Sequence, residues 1–235
     1  MITRVIDLET TGTDPSEGAE IIEIAAVDVD LTPGAFRIVQ SQSTLVKCSR
    51  PISPETSAIH HIIDADLANA PTWDEVISNY GGADVYCAHN AKFERLFLDP
   101  EKKSKRPWIC TYKAGLAIWP EAPSHSNQGL RYWRRHHSVA GWTREQLAQA
   151  HRALPDAVVT AALLMDLAAI SPVEELISIS NLPAQLPTIP FGKHAGTRWS
   201  ELPDDYLDWM RRNGGWNEDV AFCLQNEIDR RQRPA

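Results

Sequence analysis

A chain of 235 residues, 43% hydrophobic and 23% charged, has the composition of a folded water-soluble protein with one core of ordinary size and room for a small extra module. Its formal net charge of −8 argues against a uniformly basic nucleic-acid binder, although carboxylates gathered to hold divalent cations would give the same sign. No apolar run approaches the roughly 20 residues that span a membrane, and Cys48, Cys87, Cys110 and Cys223 form no C-x-x-C pair, so reduced thiols in a cytoplasmic protein are expected.

In chain order, residues 3–9 and 21–29 read as strands rich in Ile and Val, and 36–47 as a weaker third. Residues 72–82 read as a helix, with Thr72 at the N-cap and Glu75 completing a capping box. A strand at 83–90, a short helix at 92–98 and a short strand at 108–111 follow. Helical patterns then occupy 111–118, 125–136 and about 154–170. Strands first, then alternating helix and strand, predict a mixed α/β sheet layered with helices. Basic runs at 102–106, 131–137 and 230–233 read as solvated faces. Trp133 among Arg131, Arg134 and Arg135 reads as helix packing, with stacking on a single strand as the alternative.

Residues 180–190 contain three prolines and read as a linker, so the chain divides into a domain at 1–179 and a small module at 191–235. FGKHAGT (191–197) lacks the spacing of a P-loop. It reads as a hairpin turn into a packed helix, or as an auxiliary nucleic-acid contact through Lys193, His194 and Arg198. Pro203 sits at the expected helix start, followed by Asp204 and Asp205 in the first turn, and a last helix is expected over 218–231.

Chemistry concentrates at the N-terminus. In RVIDLETTG (4–12), Asp7 and Glu9 lie two apart in the first strand and project from one face, with Ile6 and Leu8 on the other. Adjacent carboxylates repel unless something positive lies between them. An arginine or lysine would serve, and so would a metal ion such as Mg²⁺, which takes a few carboxylates together with water and phosphate oxygens. More acids follow: Glu94 in AHNAKFERLFL (88–98), then His151 and Asp156, five apart, at the head of the apolar run in HRALPDAVVTAALL (151–164).

D-x-E, H-N-A-x-F-E and H-x-x-x-x-D in this order resemble the DEDD superfamily of 3′→5′ exonucleases, in its DnaQ-like, histidine-containing branch. The resemblance implies a ribonuclease H-like fold: a mixed five-stranded sheet with an antiparallel second strand, flanked by helices. It implies that Asp7, Glu9, Glu94 and Asp156 hold two Mg²⁺ ions, with Mn²⁺ able to substitute, and that His151 is the general base. Two metal ions about 4 Å apart activate water and hold the leaving oxygen, and an imidazole suits proton acceptance near neutral pH. Thr10 and Thr11 would lie near the terminal 3′-hydroxyl, His60 beside the terminal base or sugar, and Asn90 would support the site. The family usually carries aspartate where this chain has Glu94. The expected function is metal-dependent removal of 5′-mononucleotides from DNA 3′ ends, single-stranded or frayed, with no membrane partner. The alternatives are an RNA-trimming exonuclease and a non-catalytic nucleic-acid-binding or polymerase-associated subunit.

Overall fold

The computed structural model describes residues 1–99 and 105–233. Strands β1 (Ile2–Thr10), β2 (Ile21–Asp30) and β3 (Arg37–Leu45) form an antiparallel meander. Helices α1 (Pro54–His60), α2 (Asp64–Leu67) and α3 (Trp73–Val76) lead to β4 (Val85–Ala88), α4 (Ala91–Leu98) and β5 (Trp108–Cys110). Next come α5 (Thr111–Ile118), α6 (Asn127–Trp133), α7 (Arg144–Leu147), α8 (Ala153–Ala168) and α9 (Val173–Asn181), and finally α10 (Asp204–Asn213) and α11 (Glu218–Gln232). The sheet order is β3-β2-β1-β4-β5, with β4 parallel to β1 and β5 parallel to β4, so β2 alone runs against the rest.

Burial explains why each strand reads as it does. The first seven residues of β2 are all buried, so it shows a nearly continuous apolar run. β3 is the sheet edge and is mostly polar and open to water, as an edge strand should be. Helix α8 is apolar on nearly every side and packs across β1 and β2. On that face Val5, Ala25 and Val27 meet Val158, Ala161 and Leu164. On the other face Ile6, Leu8 and Ile24 meet Tyr80, with Phe93 and Phe97 of α4 packed against them. No single described helix is long and apolar enough to cross a membrane; α8 and α9 pass that test only as a pair bent by 112°.

The structure departs from the sequence expectation in three places. The helix expected over 72–82 is the short α3 followed by a 3-10 turn at Ile77–Tyr80. Its N-terminus forms as expected, with the Thr72 N–H donating to Glu75 at 2.7 Å. The Tyr80 hydroxyl, donating to Thr44 Oγ1 at 2.8 Å, then draws the chain into the core. Second, residues 180–190 are not a free tether: helix α9 runs to Asn181, Lys113 Nζ donates to the Ser180 and Leu182 carbonyls, the Ala184 N–H donates to Asp219, and Ile189 is fully buried. Third, the runs read as solvated faces carry bonded cations. Arg134 pairs with Asp166 at 2.7 Å and lies over the Trp119 ring, which itself packs edge-on against Trp133. Arg230 and Arg231 pair with Glu227. Residues 102–104 of the first run lie outside the described residues.

Arg131 is the largest departure, because its side chain is fully buried. Its guanidinium donates to the carbonyls of His136, His137, Arg144 and Leu147 and to Gln128 Oε1. One cation thereby satisfies the backbone of the irregular stretch between α6 and α7, which has no ladder of its own. Arg131→Ala should cost roughly 3 kcal/mol through unsatisfied carbonyls, lowering Tm by about 6–12 °C. Arg131→Lys should recover little of this, because a point ammonium cannot span the fork. Thermal unfolding of the two variants checks both expectations.

Candidate active site

Strand alternation sends Asp7 and Glu9 to the α8 side of the sheet, together with Val5. α8 places Asp156 in its first turn. One carboxylate oxygen each from Asp7, Glu9 and Asp156 lie within 4.8 Å of one another. Glu94 stands in the first turn of α4. It is not part of that three-oxygen cluster, but its field reaches Asp7. Glu94 is buried, and its Oε2 has no hydrogen-bond partner.

The charges are heavily frustrated. Burial, then Asp156, Glu94, Glu9 and Glu23, push the Asp7 carboxyl well above the usual carboxylate range. Burial, then Asp156 and Glu23, raise Glu9 to about 8, against the opposing pull of Arg152. Burial also raises Glu94 to about 8, opposed by a backbone hydrogen bond and reinforced by Glu9. Asp156 is raised by burial and eased by hydrogen bonds from Gln128 and the His151 N–H. Hard oxygen donors packed this closely, with one buried oxygen left unpaired, could hold a divalent cation.

A surrounding network holds these groups in place. Gln128 Nε2 donates to Asp156 Oδ1 at 2.8 Å, and Gln128 Oε1 accepts from Arg131. Asn127 Nδ2 donates to Thr160 Oγ1 at 2.7 Å. The His151 N–H donates to Asp156 Oδ2 at 2.7 Å. His151 takes a left-handed backbone (φ 60°) and its side chain is exposed beside the cluster. Opposite Glu9 in register stands Glu23. Glu23 accepts two hydrogen bonds from the Arg152 guanidinium, at 2.8 and 3.0 Å, and a third from the Ala153 N–H. Glu23 therefore clamps the segment that carries His151 onto the sheet.

The remaining expected residues fall around this centre. His60 is buried: its Nδ1 accepts from the Ile62 N–H at 3.0 Å, and its Nε2 has no partner. Burial, the largest influence, lowers its pKa, with Glu23 opposing. The Thr10 hydroxyl donates to the Gly12 carbonyl, the Thr11 hydroxyl accepts from the Glu20 N–H, and the Thr11 N–H donates to the Glu20 carbonyl. Both threonines thus shape the turn after β1. Asn90 caps α4 by position, with an exposed side chain that makes no cap hydrogen bond. Sequence reasoning missed Gln128, Asn127 and Arg152. The cross-strand carboxylates Glu9 and Glu23 were a signal that a cation must come near, and Arg152 follows His151 directly.

A five-stranded mixed sheet presenting three carboxylates and an adjoining histidine is the arrangement that the resemblance to the DEDD class of 3′→5′ exonucleases implies. Residues 5–164 match the family model described as Exonuclease, and the chain belongs to that family. It is 40% identical over 215 residues to exodeoxyribonuclease 10 of Escherichia coli K12, covering 89% of this chain and 90% of that one. It is 34% identical over 166 residues to the DNA polymerase III subunit epsilon of Treponema pallidum, covering 65% of this chain and 70% of that one. A solved structure of exonuclease X with 5′ overhanging duplex DNA superimposes with a TM-score of 0.61 at 37% identity, over 76% of this chain and 99% of that one. Residues 179–220 match a second family model, named for quorum-sensing-regulated virulence factors.

The clamp can be tested directly. Glu23→Gln leaves the partly exposed Arg152 without its counter-charge. It should cost about 1–2 kcal/mol, or about 2–8 °C in Tm. Single-turnover rates should fall roughly tenfold as the His151 segment loosens, and unchanged rates would separate Glu23 from the site.

Proposed function

We propose that the protein removes 5′-mononucleotides from DNA 3′ ends by metal-assisted hydrolysis. Asp7, Glu9, Asp156 and Glu94 would hold two divalent ions, Mg²⁺ by preference. The observation that carries this reading is the convergence of Asp7, Glu9 and Asp156 within 4.8 Å, with the unpaired Glu94 oxygen buried close by. Bound divalent ions supply Lewis acidity for the attacking water and for the charge developing on the phosphate.

The chain's own residues do the rest. Asp7 is central to the cluster, since the carboxylates of Asp156, Glu94 and Glu9 all bear on it, and it suits a bridging position. His151 is open to solvent on a loop pinned at both sides, through its own N–H to Asp156 and through Arg152 to Glu23. Its imidazole accepts the water's proton and passes it to bulk solvent. His60, kept neutral by burial, offers its unpartnered Nε2 to the terminal sugar or base. The exposed Asn90 side chain and the turn of Thr10 and Thr11 border the same end of the sheet. DNA is favoured over RNA as substrate because the relative similar over nine-tenths of its length is named an exodeoxyribonuclease and the 37%-identical structure holds duplex DNA.

End-labelled DNA and RNA oligonucleotides incubated with Mg²⁺, Mn²⁺ or EDTA test this reading. The expected result is stepwise 3′ shortening of DNA, abolished by EDTA; an intact DNA ladder in every metal contradicts it. Glu94 is the sharper probe. Glu94→Gln keeps shape and loses charge, and should lower single-turnover rates by roughly 10²-fold or more. Glu94→Asp keeps charge and loses reach, and should be milder and better rescued by Mn²⁺, since Mg²⁺ demands near-ideal octahedral geometry. Equal rates for all three proteins would make Glu94 a bystander.

A further inference from the structure

Far along the chain from the carboxylates, the C-terminal residues build a second surface that the nuclease chemistry does not use. Ile189, Leu202, Leu207, Met210 and Leu224 form a compact apolar cluster. Over it runs a row of aromatic rings. Phe191 and Trp216 stack at 5.0 Å with 17° between their planes, Trp216 and Trp209 meet at 5.8 Å, and Trp209 and Tyr206 stack at 5.4 Å with 22° between planes. The row lines an open groove of about 670 Å³ with Lys193 and Arg212 at its sides.

Three features distinguish this row from core packing. Trp209 is 43% exposed, a large apolar face left to water. The Trp216 indole N–H is already satisfied by the Met210 carbonyl at 2.8 Å, so its ring serves as a flat platform. Gly192 has φ 70°, and a side chain there would come within 3.2 Å of the Tyr206 hydroxyl, narrowing the groove. The charges are equally selective. Lys193 Nζ lies 5.4 Å from the Tyr206 ring centroid, and Arg212 also lines the groove, against one lining carboxylate, Asp205. Flat rings with two cations beside them complement a ligand of alternating flat bases and phosphates.

We propose that this groove binds single-stranded nucleic acid, with bases stacked on Trp209 and the Trp216–Phe191 pair and phosphates held by Lys193 and Arg212. A neutral proline-rich peptide would use the aromatic faces but offer no counter-charge to Lys193 or to Arg212, whose Nε donates to the Asp208 carbonyl at 3.2 Å. The groove would keep a strand on the protein between successive cleavages, raising the local concentration of its end. The proposal is independent of the catalytic assignment, because binding is read in EDTA, where hydrolysis is absent.

The test is fluorescence anisotropy of a labelled oligothymidylate of about fifteen nucleotides against the full-length protein in EDTA. Trp209→Ala should weaken binding tenfold or more, while Trp209→Phe, which keeps a ring, should recover most of it. The exposed pair Lys193→Gln with Arg212→Gln leaves the apolar cluster intact, and should reduce the salt slope of log K by roughly 1.4. Hydrolysis of thymidine 5′-monophosphate p-nitrophenyl ester, too short to span both sites, should be unchanged in every variant. Oligothymidylate affinity and salt slope unchanged in both Trp209→Ala and the double charge variant would overturn the proposal. So would quenching of Trp209 by a proline-rich peptide but not by oligothymidylate.

Discussion

Mutual repulsion among carboxylates governs this molecule. Asp7, Glu9 and Asp156 crowd within 4.8 Å while Glu94 adds its field, in surroundings too poor in water to screen them. Burial first, and the neighbouring carboxylates second, favour protons in the pocket when no cation is bound, raising Glu9 and Glu94 to about 8. Everything near the site can be understood as supporting that crowding. The buried central strand β1 fixes two acids, the first turn of α8 delivers a third, and the largely apolar body of α8 anchors that turn against β1 and β2.

Cations and amide donors that never enter the cluster keep it from flying apart. Arg152 neutralises Glu23, which would otherwise face Glu9 directly across the strands. Gln128 holds Asp156 and is itself held by Arg131, so a buried guanidinium links the site to the backbone of the 134–147 stretch. The same contacts set where His151 stands. Stability and geometry are therefore coupled: the groups that lower the cost of the acidic pocket are the ones that hold the segment carrying His151.

The sequence made the strands and the acids legible because both obey short periods. The two-residue period of β1 placed Asp7 and Glu9 together, and the largely apolar run after Asp156 announced a buried helix. The five-stranded mixed sheet and its antiparallel β2 came from resemblance, and the strand order from the structure. What stayed hidden depends on long-range contacts. Arg131 sits in a run that looks like a solvated face, yet four backbone carbonyls of the following irregular stretch and α7 claim it. Gln128 carries no local signal of a partner 28 residues away. Residues 180–190 look like a tether by their prolines, whereas Ala184 and Ile189 are buried by contacts made elsewhere in the chain. The aromatic row from 191 to 216 was invisible for the same reason.

The central claim is that a cation relieves the acidic pocket, and pH-dependent melting with and without metal tests it most directly. Glu9 and Glu94 hold protons up to about 8, whereas in the unfolded chain they release them near their ordinary value of 4.5. Between those limits the native state binds more protons, so their contribution to metal-free stability falls as pH rises. A cation that displaces those protons should stabilise the protein progressively more over the same window. The account predicts that saturating Mg²⁺ or Mn²⁺ barely moves Tm near about pH 5 and raises it by about 5–10 °C near about pH 8, relative to EDTA. A metal-induced shift that is absent at the higher pH, or equal at both, would contradict it.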